Sequence, residues 1–223
     1  MARSQGRVLI MGSKRVGLAR TQALLQGLKR ELLMTGSTWV SQDGIGSASD
    51  ATFGTGFHSG STFEPTTKVT TVNGEIITTI AFDLTNLSAS SAANKIVGNK
   101  EAGVAETAPA HLIKWSNSKN GIMYKAELSC LELPTSDADT CIDFDVEAGT
   151  TASVYAASVA GSAVVVLASG GNFALGTTKT SDAVNTVADE SFIYLTTGAG
   201  FAQGNKYTAG QFILKLYGHE ALA

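Results

Sequence analysis

The chain has 223 residues, of which 43% are hydrophobic and 16% are charged, and its formal net charge is −3. It contains 24 glycines, three prolines and two cysteines. This composition favours a domain of short strands joined by many turns, and it has too little cysteine for a disulfide scaffold. No run of 18 apolar residues occurs, so we expect no membrane-spanning helix.

The positive charge is concentrated in the N-terminal arm. Residues 1–30 contain seven bases and no acid, including all five arginines of the chain, which leaves nine bases against nineteen acids in the remainder. Arginine presents a planar fork that suits carboxylates and phosphates. We therefore predict that this arm docks on an acidic partner, although a solvated basic tail would have the same composition.

An amphipathic helix is predicted within the arm, over Ser13–Met34. Its apolar stripe contains four leucines at heptad-like spacing, Leu18, Leu25, Leu28 and Leu32. A stripe of this length is too short for a free-standing coiled coil. We expect it to pack on its own domain or on symmetry-related copies, so residues 1–40 are predicted to form an anchor or assembly segment.

Residues 41–65 are rich in serine, glycine and threonine. This composition indicates a linker or a long loop, pinned by Phe53, Phe57 and Phe63. The Gly54-Thr55-Gly56 tripeptide resembles half of a dinucleotide-binding glycine motif. Neither a strand before it nor a helix after it is predicted, so we do not interpret it as a phosphate site.

Residues 66–223 are predicted to form a β domain. Lys68–Val72 and Glu75–Leu84 flank Asn73-Gly74, which suits a type I′ turn and predicts a hairpin. Further strand-like runs follow at 111–115, 122–133, 142–147, 153–159, 163–168, 191–197 and 211–217. About eight short strands with turns between them are typical of a β-sandwich or jelly-roll-like domain. The predicted fold is therefore mainly β, with a basic arm and one amphipathic helix.

Alternation within two of these strands predicts which side chains face the core. In the run 122–133, one face carries Ile122, Tyr124, Ala126, Leu128 and Cys130. In the run 142–147, Ile142, Phe144 and Val146 face inward, whereas Asp143, Asp145 and Glu147 face water. If these two strands pair as a hairpin, Cys130 points inward and Cys141 outward. Two separate reduced thiols are then expected.

Three features are candidates for binding chemistry. Four aspartates could hold Ca²⁺, namely Asp137, Asp139, Asp143 and Asp145, but they lack EF-hand spacing, and an acidic loop explains them as well. Five aromatic residues could stack on sugars, but we expect them to pack in the core and at interfaces, namely Trp39, Trp115, Tyr194, Tyr207 and Tyr217. The three histidines, His58, His111 and His219, show neither zinc spacing nor a nucleophile elbow. We expect neither catalytic residues nor a cofactor, and hence a non-enzymatic protein.

Four stretches of the chain resemble a known group of proteins: residues 13–32, 83–98, 120–132 and 207–219. They are similar to virion structural proteins of marine tailed bacteriophages, including cyanophages, over about a third of the chain. The resemblance implies a particle component with no catalytic residues, made in the host bacterial cytoplasm and located in the virion.

These observations predict a head decoration (cement) protein that binds the major capsid protein, as a homotrimer at capsid threefold positions. The residues expected to contact the capsid or other copies are Arg3, Arg7, Lys14, Arg15, Leu18, Arg20, Leu25, Leu28 and Leu32. The alternatives are a neck, tail or fibre-associated protein and a carbohydrate-binding module. Contact of the arm with nucleic acid would be non-specific, because no aromatic residues are interleaved with its bases.

Overall fold

The structure is a computed structural model that describes residues 53–58, 65–100, 107–136, 142–181, 187–199 and 206–220. All of them belong to one compact unit, Ile45–Ala223. The predicted basic arm and its helix lie outside the described residues. The described part is mainly β with antiparallel sheets, as the sequence predicts.

Nine strands and two four-residue helices occur in the described ranges. The helices are α1 (Thr55–His58) and α2 (Asn117–Asn120). The strands are β1 (Thr66–Val72), β2 (Glu75–Asp83), β3 (Ile113–Lys114), β4 (Ile122–Ser136), β5 (Phe144–Gly149), β6 (Val164–Leu167), β7 (Thr178–Ser181), β8 (Phe192–Thr197) and β9 (Tyr207–His219).

The strands form two sheets. The larger has the order β1-β2-β9-β4-β7 and the smaller has the order β3-β8-β5-β6. Four of the antiparallel pairs are nested in the sequence: β5 with β6, β4 with β7, β3 with β8, and β2 with β9. Two further pairs, β4 with β9 and β5 with β8, complete the interiors of the sheets.

The predicted hairpin is confirmed. β1 pairs with β2 in continuous antiparallel register from Thr66 and Ala81 to Val72 and Glu75. Asn73 and Gly74 both have positive φ, 53° and 82°, as a type I′ turn requires. The predicted inner face of β2 is also confirmed, because its residues are buried: Ile76, Thr78, Ile80, Phe82 and, just beyond the strand, Leu84.

One hydrophobic cluster contains buried side chains of both sheets. Phe212 of β9 stacks on Phe82 of β2, with 5.8 Å between the ring centroids and 14° between the ring planes. Phe144 and Phe173 form T-shaped contacts with the Phe212 ring, with centroid distances of 5.5 and 5.4 Å. Since a fully buried large apolar side chain contributes about 1.5–3 kcal/mol, this aromatic group contributes strongly to the contact between β9 and β5.

The hairpin considered for β4 and the strand that follows it is not formed, because the two lie in different sheets. Two predictions about other segments are wrong. The run 153–159 is not a strand but an irregular segment in which Ala156 has φ 59°. Asp143 does not face water and is 4% exposed. The loop after β6 covers it, with the Ser169 hydroxyl donating to the Asp143 carboxylate and the Ser169 amide donating to Asp145 Oδ1 at 2.6 Å.

The aromatic residues of the linker region partly behave as expected. Phe57 is fully buried in the hydrophobic cluster, and Phe53 packs against it. The Gly54 and Gly56 amides donate to the carbonyls of His111 and Pro109, each at 2.9 Å. A Cβ on either glycine would collide with the backbone of residues 108–111. These glycines therefore permit close approach of two chain segments.

We predict that Gly198→Ala destabilises the domain by about 1–3 kcal/mol. A Cβ at position 198 would overlap the carboxyl group of Asp143, which is buried and cannot swing into water. Urea denaturation of the wild type and the variant measures the difference. In the Asp143→Ala background the collision is absent, so Gly198→Ala should lower the free energy of unfolding clearly less there. An equal loss in both backgrounds would contradict the steric explanation.

Candidate partner-binding surface

The predicted capsid-contacting residues, from Arg3 to Leu32, lie outside the described residues. Their predicted role therefore stays a prediction. The described part presents a different candidate surface, on the outer face of the larger sheet. Alternate residues of β2, β9 and β4 point away from the core there, so that Thr79, Lys215 and Glu127 form one row across the three strands.

A β-bulge at the start of β4 reshapes this outer face. Met123 is opposite Gly218 and Lys125 is opposite Tyr217, so Tyr124 is an extra residue between two ladder pairs. Met123 is 3% exposed and Tyr124 is 36% exposed. The prediction that Tyr124 faces the core is wrong, because a bulge breaks strict alternation and re-aims a side chain.

The bulge places Tyr124 next to two other rings. Its ring centroid is 6.4 Å from that of Tyr217 and 5.9 Å from that of His219, with interplanar angles of 54° and 49°. The ammonium of Lys125 lies 5.0 Å from the centre of the Tyr217 ring, within the range of a cation–π contact. These three rings, together with Glu75 and Glu127, are called the tyrosine patch below.

Each tyrosine of the patch donates a hydrogen bond to a carboxylate. The Tyr124 hydroxyl donates to Glu75 Oε1, and the Tyr217 hydroxyl donates to Glu127 Oε2 at 2.7 Å. The bond to Glu75 is the main reason that the pKa of Tyr124 is raised to about 12. Burial, followed by the bond to Glu127, raises the pKa of Tyr217 above its ordinary value. Both phenols therefore stay protonated near neutral pH, and each hydroxyl is held in one orientation by the carboxylate to which it donates.

Glu127 is the most constrained acid of the patch. Its Oε1 lies 2.8 Å from the Lys125 ammonium, and the two side chains are 19% and 30% exposed. The hydrogen bond from Lys125, followed by that from Tyr217, lowers the pKa of Glu127. On the smaller sheet, by contrast, burial raises the pKa of Glu147, although Thr196 donates a hydrogen bond to it.

These opposite pKa shifts predict opposite effects of removing the two charges. The pKa of Glu127 is lower in the folded state than in the unfolded state. Its charge therefore stabilises the folded state above the unfolded pKa of about 4.3, and this stabilisation is lost as pH falls through the folded pKa. Glu127→Gln should therefore lower the free energy of unfolding at pH 7, by less than about 1 kcal/mol because the pair is partly exposed. The deficit should shrink in acid.

Glu147→Gln is the matched comparison for that measurement. The charge of the wild-type Glu147 carboxylate is unfavourable in the folded state, so the glutamine variant should be more stable than the wild type at pH 7. This gain in stability should disappear below the unfolded pKa of about 4.3. Urea denaturation at several pH values between neutrality and the acid range measures both variants. The same sign of effect at pH 7 for the two variants would contradict the assignment.

The other aromatic candidates pack in the interior. Trp115, Tyr194 and Tyr207 are at most 1% exposed, which confirms the expectation that they pack rather than bind. The Tyr194 hydroxyl accepts from the Ser153 amide at 2.8 Å. Tyr217 differs from them, since it lies on the outer face, and Trp39 is outside the described residues.

The aspartate cluster is not assembled as a metal site in the part of the chain that the structure describes. No group of three His, Cys, Asp or Glu residues in those ranges is arranged to hold a metal ion. Asp143 and Asp145 instead fix the loop after β6 through Ser169. Asp137 and Asp139, the other two members of the predicted cluster, lie outside the described residues.

Cys130 lies in the core as predicted. It is a free, fully buried thiol whose Sγ is 3.4 Å from the Glu132 carbonyl oxygen. Burial raises its pKa, which disfavours the reactive thiolate. Cys141 lies outside the described residues. His111 is also buried, with its ring centroid 4.9 Å from that of Phe192.

We predict that Cys130 is unreactive in the folded protein. In the Cys141→Ser variant, a thiol reagent should label the native protein at least about a hundredfold more slowly than the protein in urea, because labelling requires opening of the core. Absorbance of the released chromophore follows the reaction. A Cys130→Ala, Cys141→Ser double variant supplies the background, and rapid labelling before unfolding would show that the thiol is accessible.

Comparisons with protein-family models, curated proteins and solved structures each find no match. The resemblance to phage virion proteins therefore stays a prediction. No helix within the described ranges is long and apolar enough to span a bilayer. Sequence reasoning missed the tyrosine patch because nothing in the sequence around Tyr124 signals a bulge, and the patch joins residues that are far apart in the chain.

Proposed function

We propose that this chain is a non-enzymatic structural protein of a tailed-phage virion, and that it decorates and stabilises the head. The N-terminal arm and helix would bind the major capsid protein, and the β domain would cover the shell. The observation that carries the proposal is the partition of charge, with seven bases and no acid in residues 1–30 and an excess of ten acids in the remainder. Such a chain has one basic end for an acidic surface.

We further propose that the two sheets form a β-sandwich with jelly-roll topology. Four nested pairs support this: β5 with β6, β4 with β7, β3 with β8, and β2 with β9. Such nesting is that of a long hairpin rolled up so that its successive sections alternate between two sheets. Jelly rolls occur in viral capsid proteins and in lectins, but the fold alone does not specify a function.

The arm is proposed to act through two kinds of contact. The basic residues would contact acidic groups of the shell: Arg3, Arg7, Lys14, Arg15 and Arg20. The apolar stripe would pack on the shell or on other copies: Leu18, Leu25, Leu28 and Leu32. A trimer at a capsid threefold position would engage three arms at once, which raises the overall affinity through avidity.

The test uses the full chain with its five proposed basic contacts replaced by glutamine, at positions 3, 7, 14, 15 and 20. We expect this variant to bind purified capsid shells at least about tenfold more weakly and with a smaller dependence on salt, because each lost charge removes an interfacial attraction. Co-sedimentation of protein with shells across a series of salt concentrations measures both quantities.

A matched variant removes the same number of charges from the β domain, by glutamine at Lys68, Lys95, Lys100, Lys114 and Lys119. It should bind as the wild type does. Equal binding by the arm variant and the domain variant would contradict an arm-mediated anchor. Light scattering measures the mass of the oligomer, and comparing the wild type with a variant that has serine at the four leucines tests assembly. A wild-type mass other than that of a trimer would contradict the proposed symmetry.

A further inference from the structure

The tyrosine patch combines aromatic surface with fixed hydrogen-bonding groups. Tyr124 is 36% exposed on the outer face of the larger sheet. Its ring centroid lies 6.4 Å from that of Tyr217 and 5.9 Å from that of His219. All three rings are carried by the paired strands β4 and β9. Groups held on paired strands keep their relative positions better than groups on loops do.

The hydrogen-bonding groups of the patch retain capacity for a ligand. Glu75 accepts the Tyr124 hydroxyl through Oε1, and a carboxylate has about four lone-pair sites. Glu75 can therefore accept a further hydroxyl from a ligand at the edge of the Tyr124 ring. The imidazole of His219, which is opposite Glu75 across the strand pair, supplies a further polar group on the same row.

The charge of the surface is balanced. Glu75 and Glu127 are matched by Lys125 and Lys215 on adjacent positions of the same face. Lys125 is bound to Glu127 at 2.8 Å. A surface with paired charges offers little net attraction to a polyanion or a polycation. The preferred ligand is therefore neutral, polar at its rim and apolar on a face.

We propose that the tyrosine patch binds a neutral oligosaccharide. One pyranose ring lies with its C–H face on Tyr124, its hydroxyls donating to Glu75, and an adjoining sugar reaches His219. A protein partner is less well matched, because a stable protein interface needs about 800 Å² on each side around an apolar centre, and these rings are surrounded by charged groups. The inference does not depend on the proposed capsid function.

The experiment is titration calorimetry of the full chain with four neutral probes and one polyanion: cellohexaose, laminarihexaose, mannohexaose, hexa-N-acetylchitohexaose and heparin. Saturable binding of the wild type to at least one neutral probe is expected. Tyr124→Ala should weaken that binding at least about tenfold because it removes the stacking ring. Tyr124→Phe keeps the ring and should retain most of the affinity.

Leu131→Ala is the matched control. Leu131 lies on the same strand and is 50% exposed, so the change removes comparable surface away from the patch and should leave binding unchanged. The thermal unfolding of each variant confirms that it is folded. The proposal is overturned if no neutral probe binds, if heparin alone binds, or if Tyr124→Ala and Leu131→Ala bind equally.

Discussion

The packing of aromatic rings around Phe212 is the contact on which the rest of the described structure depends. Phe212 belongs to the central strand of the larger sheet, yet it contacts Phe144 of the smaller sheet as well as its neighbour Phe82. Apolar burial is the dominant favourable contribution to folding. Joining the sheets through large rings leaves the outer face of the larger sheet available for polar groups.

The two sheets use their outer faces differently. On the smaller sheet, Tyr194 and Thr196 are completely buried, and Tyr194 forms a second cluster with Ile96, Ala110 and Val159. On the larger sheet, the tyrosine patch is partly exposed. The pKa shifts of the two acids differ in the same way: burial raises the pKa of Glu147, whereas the hydrogen bond from the Lys125 ammonium lowers the pKa of Glu127. The larger sheet is therefore the better candidate for recognition.

Local patterns in the sequence predict local structure well here. The Asn73-Gly74 turn, the buried face of β2 and the inward direction of Cys130 all follow from turn chemistry and alternation. The partner of β4 could not be predicted, because β9 is about 80 residues distant and period-two patterning does not specify a neighbour. The exposure of Tyr124 and the burial of Asp143 depend on a bulge and on a distant loop, which leave no local signal.

The position of β9 between β2 and β4 has a consequence for synthesis on the ribosome. Both neighbours are made well before it, and the larger sheet lacks its central strand until residues 207–219 have left the exit tunnel. Until then, the edges of β2 and β4 that later pair with β9 have no partner in this sheet, and unpaired edges promote association with other chains. Closure of the larger sheet is thus expected only after β9 has emerged, with the slow rate that long-range strand pairing imposes.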